Sequence, residues 1–179
     1  WHQMVWGMHY APHTPVNFQF EAQQIGLQLK QEAFKAAQQS AHWRLVDQQV
    51  VSNRYEQLLV GQGEQHIAHV LKVTLSPSMA AGLPHVTAYD LRWEVLAKNT
   101  GERIYLAEQK INIDQPRLVP TSSKPLSPVV VAQIQMALAG FVKGMERVLS
   151  CRVPQFDIVM VRSDAVRIAG GMTSGLKVG

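Results

Sequence analysis

The sequence predicts an α/β fold: a mixed sheet with a βαβ start, an antiparallel meander and two main amphipathic helices, followed by the start of a small β domain. Three observations predict it. The chain opens on a short apolar run, a long four-residue repeat and a second apolar run, the order of a parallel βαβ unit. Residues 86–97 alternate apolar with polar and run into a turn sequence, as an antiparallel pair with one buried and one wet face does. Val130, Ile134, Leu138, Phe141, Met145 and Val148 step by fours and threes, the period of an amphipathic helix.

The elements follow in order. Residues 4–10, MVWGMHY, read as a short strand, and Pro12 and Pro15 punctuate the loop after it. A helix is expected from about Glu21 to Ala41, because Ile25, Leu29, Ala33 and Ala37 recur every four residues with Leu27 and Phe34 flanking. Residues 43–51, WRLVDQQVV, read as the next strand. Residues 53–63 are ambiguous and fit a short helix ending at Gly61 or Gly63. Residues 66–75 form a strand with Ile67, Leu71, Val73 and Leu75 on one face, and 76–84 a loop.

In 86–97, Tyr89, Leu91, Trp93, Val95 and Ala97 face one way, and Asp90, Arg92 and Glu94 the other. Lys98-Asn99-Thr100-Gly101 is a hairpin turn, and 103–113 return as the partner strand. Pro116, Pro120, Pro125 and Pro128 mark an irregular crossover. Ser127 is placed to cap the second helix and Pro128 to occupy its first position; the helix ends near Leu149. Cys151-Arg152-Val153-Pro154 then breaks the chain. QFDIVMV, a turn at Arg162-Ser163-Asp164 and AVRIA read as a hairpin. The expected division is an α/β domain over 1–150, and over 151–179 a linker and the beginning of a small β domain cut off by the chain boundary.

Composition narrows the function. The chain is 46% hydrophobic and 17% charged, enough apolar material for a core and too little charge for a disordered polymer. No run of 18 apolar residues occurs, so no membrane span is expected. A start on Trp1 rather than Met reads as a processed or trimmed product. The net charge of +4 is scattered over Arg44, Arg54, Arg92, Arg103, Arg117, Arg147 and Arg162. No basic cluster with interleaved aromatics appears, so no nucleic-acid partner is expected. Glutamines such as Gln23, Gln24, Gln38 and Gln39 read as uncharged surface positions.

Spacing decides each chemistry-bearing pattern. GGMTSGLKVG at 170–179 has the glycine interval of a phosphate loop in Gly170 and Gly175, but Leu176 stands where Lys is needed. Lys177 comes one place late and Val178 replaces the magnesium-binding hydroxyl, so no nucleotide is expected. Seven histidines raise a metal site, yet His66 and His69 lie three apart on a strand and point to opposite faces. Neither H-E-x-x-H, C-x-x-C nor G-x-S-x-G is present. Asp90 and Glu94 read as a solvated pair of acids. Cys151, the sole cysteine, reads as a small buried thiol or as half of a disulfide whose partner lies outside this chain. The expectation is no catalytic residue, no cofactor, no metal and no enzyme.

Two features together resemble a known family. One is the order strand, helix, strand, meander, long helix, which is similar to the TolB amino-terminal-like fold. The other is ERVLSCRVPQFDIVMVRSDAVRIAGGMTSGLKVG at 146–179, whose Cys-x-x-Pro, short hairpin and glycine-rich ending resemble a domain junction in the flagellar assembly protein T family. That family builds the H ring of the polar flagellar motor. The resemblance implies a structural protein without catalytic residues, in the periplasm near the outer membrane. It implies self-association in a ring, with other basal-body ring proteins and stator-associated ring proteins as partners. The alternative on the same fold is an envelope accessory protein, either an activator of a cell-wall synthase or a subunit of a secretion channel.

Overall fold

The computed structural model describes residues 2–12, 14, 16–47, 67–79, 86–114, 125–151, 158–161 and 166–168. In chain order the elements are β1 (His2–Tyr10), α1 (Val16–Gln39), β2 (Trp43–Asp47), β3 (His69–Met79), β4 (Val86–Ala97), β5 (Arg103–Asn112), α2 (Pro128–Ser150), β6 (Ile158–Val161) and β7 (Val166–Ile168). Five strands form a sheet in the order β2-β1-β3-β4-β5. β1 lies parallel to both β2 and β3, whereas β3, β4 and β5 run antiparallel. The α/β class, the βαβ opening and the meander are therefore the fold. β6 and β7 pair antiparallel in a sheet of their own.

α1 starts five residues earlier than the spacing predicts. Phe18 and Ala22 carry the buried stripe of Ile25, Leu29, Ala33 and Ala37 back by two turns. Its C-terminal carbonyls are closed by Arg44, whose Nη1 donates to the oxygens of Ala37, at 2.6 Å, and Ser40. α2 is capped as expected: Ser127 Oγ accepts from the Val130 amide at 3.3 Å and Pro128 stands in the first turn. Its buried stripe is Val130, Ile134, Ala137, Leu138, Phe141, Met145 and Leu149. Leu149 takes the place expected of Val148, because a straight helix drifts away from a strict alternation of threes and fours.

Both helices cover one face of the sheet. Trp93 of β4 stacks on Phe141 of α2 with ring centroids 4.7 Å apart and planes 15° off parallel, and Tyr105 of β5 leans on the same ring at 5.7 Å. On the α1 side Trp6 meets Phe34 edge-on at 6.4 Å. Two helix glycines make this fit. The Tyr105 hydroxyl passes over Gly144 and the Tyr10 hydroxyl over Gly26, each in the space that a Cβ would fill. The hairpin turn works as read: Gly101 takes φ 70° and donates to the Ala97 carbonyl at 2.8 Å.

Several expectations are corrected or fall elsewhere. β3 runs on to Met79 instead of ending at Leu75, pairing with β4 along its length. Pro77 is tolerated there because β1 pairs only as far as Leu75, so that among the described residues no strand lies on that side to which an amide would donate. Cys151 is not buried. It is the residue that ends α2, two places beyond buried Leu149, and the helical rotation turns it out to solvent as an exposed free thiol. Residues 48–51 of the expected second strand, the ambiguous 53–63, most of the proline-rich crossover and the glycine segment 170–179 lie outside the described residues.

Candidate interaction surfaces

Among the described residues no helix lies on the sheet's second face. Alternation along each strand sends Lys72 of β3, Asp90, Arg92 and Glu94 of β4, and Glu108 and Lys110 of β5 to that side. Register then sorts them by sign. Lys72 stands opposite Glu94, Asp90 opposite Lys110, and Arg92 opposite Glu108. The ion pairs measure 3.8 Å for Lys72–Glu94, 3.5 Å for Lys110–Asp90 and 3.7 Å for Arg92–Glu108. Glu94 is the node, since it also meets Arg92 at 3.1 Å and Arg103 at 3.7 Å.

Asp90 and Glu94, alike in the sequence, differ here. The Asp90 side chain is 54% exposed and that of Glu94 only 12%. Asp90 is the solvated acid the alternation predicts. Glu94 is enclosed by long cationic side chains from three strands. A sequence signal exists in hindsight, the sign alternation Asp90-x-Arg92-x-Glu94, but it means nothing until the register supplies the opposite charges.

A groove of about 550 Å³ runs between α1 and α2 on the other side of the molecule. Ala36, Leu138 and Val142 form its apolar part, with Glu32, Lys35, Lys143 and Glu146 around them. Its acids are engaged in holding the fold. Glu146 Oε1 accepts from Ser40 Oγ at 2.9 Å and from Trp43 Nε1 at 3.1 Å, so it ties the end of α2 to the start of β2. Glu32 accepts from Gln135 at 3.2 Å across the helix pair. The buried acid Glu21 accepts from the Tyr89 hydroxyl at 3.0 Å.

The histidines do not converge. His69 is buried in β3 and meets the His2 ring edge-on, with centroids 5.3 Å apart. Burial holds the His2 imidazole below its ordinary range. His66 lies outside the described residues. Among the described residues no three His, Cys, Asp or Glu side chains gather as a metal site would require. The outer edge of β5 is partly closed by α2. Gln133 accepts from the Asn112 amide at 2.9 Å and donates to the Asn112 carbonyl at 3.0 Å, standing in for a neighbouring strand at that one position.

No family model and no curated protein matches the sequence. Among solved structures the chain is similar to the hypothetical protein CT253 from Chlamydia trachomatis, with 10% identity over 84% of this chain and 99% of that one and a TM-score of 0.48. It is similar to a dodecameric PelC variant from Paraburkholderia phytofirmans, with 12% identity, coverage of 77% and 85%, and a TM-score of 0.41. It is also similar to lipoprotein GNA1162 from Neisseria meningitidis, with 12% identity, coverage of 82% and 99%, and a TM-score of 0.41. At such scores these likenesses carry no argument about what the chain does.

Proposed function

We propose that this chain is a non-enzymatic structural subunit of the bacterial envelope, and that its assembly is a periplasmic ring of the flagellar basal body near the outer membrane. The observation that supports the reading is the charged face of β3, β4 and β5, over which no helix lies among the described residues. Three sign-matched cross-strand pairs, Lys72–Glu94, Asp90–Lys110 and Arg92–Glu108, make a surface of balanced charge on three hydrogen-bonded strands. Such a face suits contacts repeated by symmetry. Each exposed ion pair contributes only about 0–1 kcal/mol, so a single contact is weak and a closed ring is held by many at once. The polar clusters at Glu146 and Glu21 join elements of the fold to one another, which is architectural work.

The flagellar part of the reading rests on the resemblance of residues 146–179. Its partners are further copies of the chain, other basal-body ring proteins and stator-associated ring proteins. The deciding experiment is deletion of the gene followed by in-situ electron cryotomography and a swimming assay. Loss of a periplasmic ring with impaired motility is expected. If every ring persists and the cells swim normally, the assignment fails, and an envelope accessory role on the same fold, in cell-wall synthesis or a secretion channel, replaces it.

A further inference from the structure

α2 has a second apolar stripe, on the side turned away from the sheet. Between Pro128 and Val142 the helix carries no charged residue at all. Val129 is 53% exposed and Met136 is 67% exposed, and Ala132, Ala139 and Gly140 between and beside them are exposed as well. Val129, Ala132, Met136, Ala139 and Lys143 are spaced 3, 4, 3 and 4 apart, the seam of a coiled-coil partner helix. This stripe lies opposite Ile134, Leu138, Phe141 and Met145, which face the sheet. The helix is long and apolar enough to cross a membrane by length and composition, and the outer stripe accounts for the part of that apolarity the fold leaves unburied.

We infer that this outer seam of α2 is a contact with a second copy of the chain, the two α2 helices lying antiparallel about a two-fold axis at Met136. The inference stands apart from the ring proposal, because a two-fold contact closes a pair and does not by itself build a ring. The seam is self-complementary in size. Met136 has a long, adaptable side chain, and small Ala132, Ala139 and Gly140 leave the holes into which its counterpart fits.

The charges select the direction. Lys143 and the last-turn Arg147 lie at the C-terminal end of the seam. A parallel pair would set each against its own copy. The antiparallel pair separates them and brings each Arg147 level with the other helix's N-cap Ser127, beside which stands the exposed carboxylate of Asp114, 2.8 Å from the Ser127 hydroxyl. From the Ser127 end to Arg147 the seam is about 30 Å long, and one helix face of that length covers on the order of 400 Å² per copy. That is at the low end for specific contacts, so the pair forms at high micromolar concentration and separates on dilution.

The test uses the full 179-residue chain. Sedimentation equilibrium up to high micromolar concentration is expected to show a reversible dimer. Met136→Glu, at an exposed position, should leave the far-ultraviolet circular dichroism unchanged and weaken dimerisation at least tenfold. For geometry, the exposed native thiol is first removed by Cys151→Ser. In that background Met136→Cys is expected to form a disulfide-linked dimer on mild oxidation. Val129→Cys and Lys143→Cys should each fail alone and cross-link when mixed. A chain that stays monomeric throughout, a dimer indifferent to Met136→Glu, or self-cross-linking of Val129→Cys overturns the inference. So does co-sedimentation with phosphatidylglycerol vesicles that Met136→Glu abolishes without any effect on dimerisation, since the seam then belongs to lipid.

Discussion

β4 sends Tyr89, Leu91, Trp93 and Val95 to one side and Asp90, Arg92 and Glu94 to the other. The first four are at most 1% exposed and lie under the helices. The other three share a surface with charges from β3 and β5. One backbone therefore supports two faces governed by different physics. Burial of rings such as Trp93 and Phe141 is short-ranged, insensitive to salt and large in free energy. The charged face is longer-ranged, screened by salt and small in free energy for each pair. The helix-covered face holds the molecule together, and the charged face adds little stability for each pair.

The comparison breaks most sharply at Phe141. Phe141→Ala leaves a void over Trp93 and beside Tyr105, and a loss of about 3–5 kcal/mol is expected in urea unfolding, the same at low and high salt. A loss below about 1 kcal/mol would mean that α2 is not the principal cover of the sheet. Gly144→Ala is expected to cost less. Alanine favours the helix by up to about 1 kcal/mol, but its methyl group meets the Tyr105 hydroxyl, and overpacking costs about 1–3 kcal/mol. The net expectation is a loss of about 1 kcal/mol that reverses to a gain in a Tyr105→Ala background. Stabilisation of the parent protein by Gly144→Ala would show that Tyr105 swings aside freely. The smallest effect belongs to the open face. Glu94→Gln leaves Lys72, Arg92 and Arg103 without their shared anion, and a loss of about 0.5–1 kcal/mol at low salt should shrink as salt is added. A loss equal at both ionic strengths would place Glu94 with the core rather than with the screened surface.

What sequence reading reached follows the range of each interaction. The alternation of β4, the Ser127-Pro128 cap, the Gly101 turn and the stripe of α2 each depend on residues within a turn or a few strand positions, so periodicity and turn chemistry reveal them. The spacing starts α1 five residues late because Phe18 lies in a stretch that reads as the end of a proline-punctuated loop, and only its burial shows that the helix already runs there. Cys151 reads from its chemistry as a buried thiol or as half of a disulfide whose partner lies outside this chain; the structure excludes burial, because exposure is decided by the angle at which α2 ends.

The amino-acid sequence by itself determined the element types, most of their order along the chain and which side of β4 and α2 is apolar, because those properties arise from neighbours along the backbone. Only the tertiary structure decided which charges meet on the open face, why Glu94 differs from Asp90, and which glycines make room for tyrosines. It also decided that Gln133 pairs with the edge of β5 at Asn112 and that Glu146 clamps Ser40 and Trp43, partners 21, 106 and 103 residues apart in the chain. Contacts at that separation follow from strand register and helix placement, which the whole core sets together and no local pattern encodes.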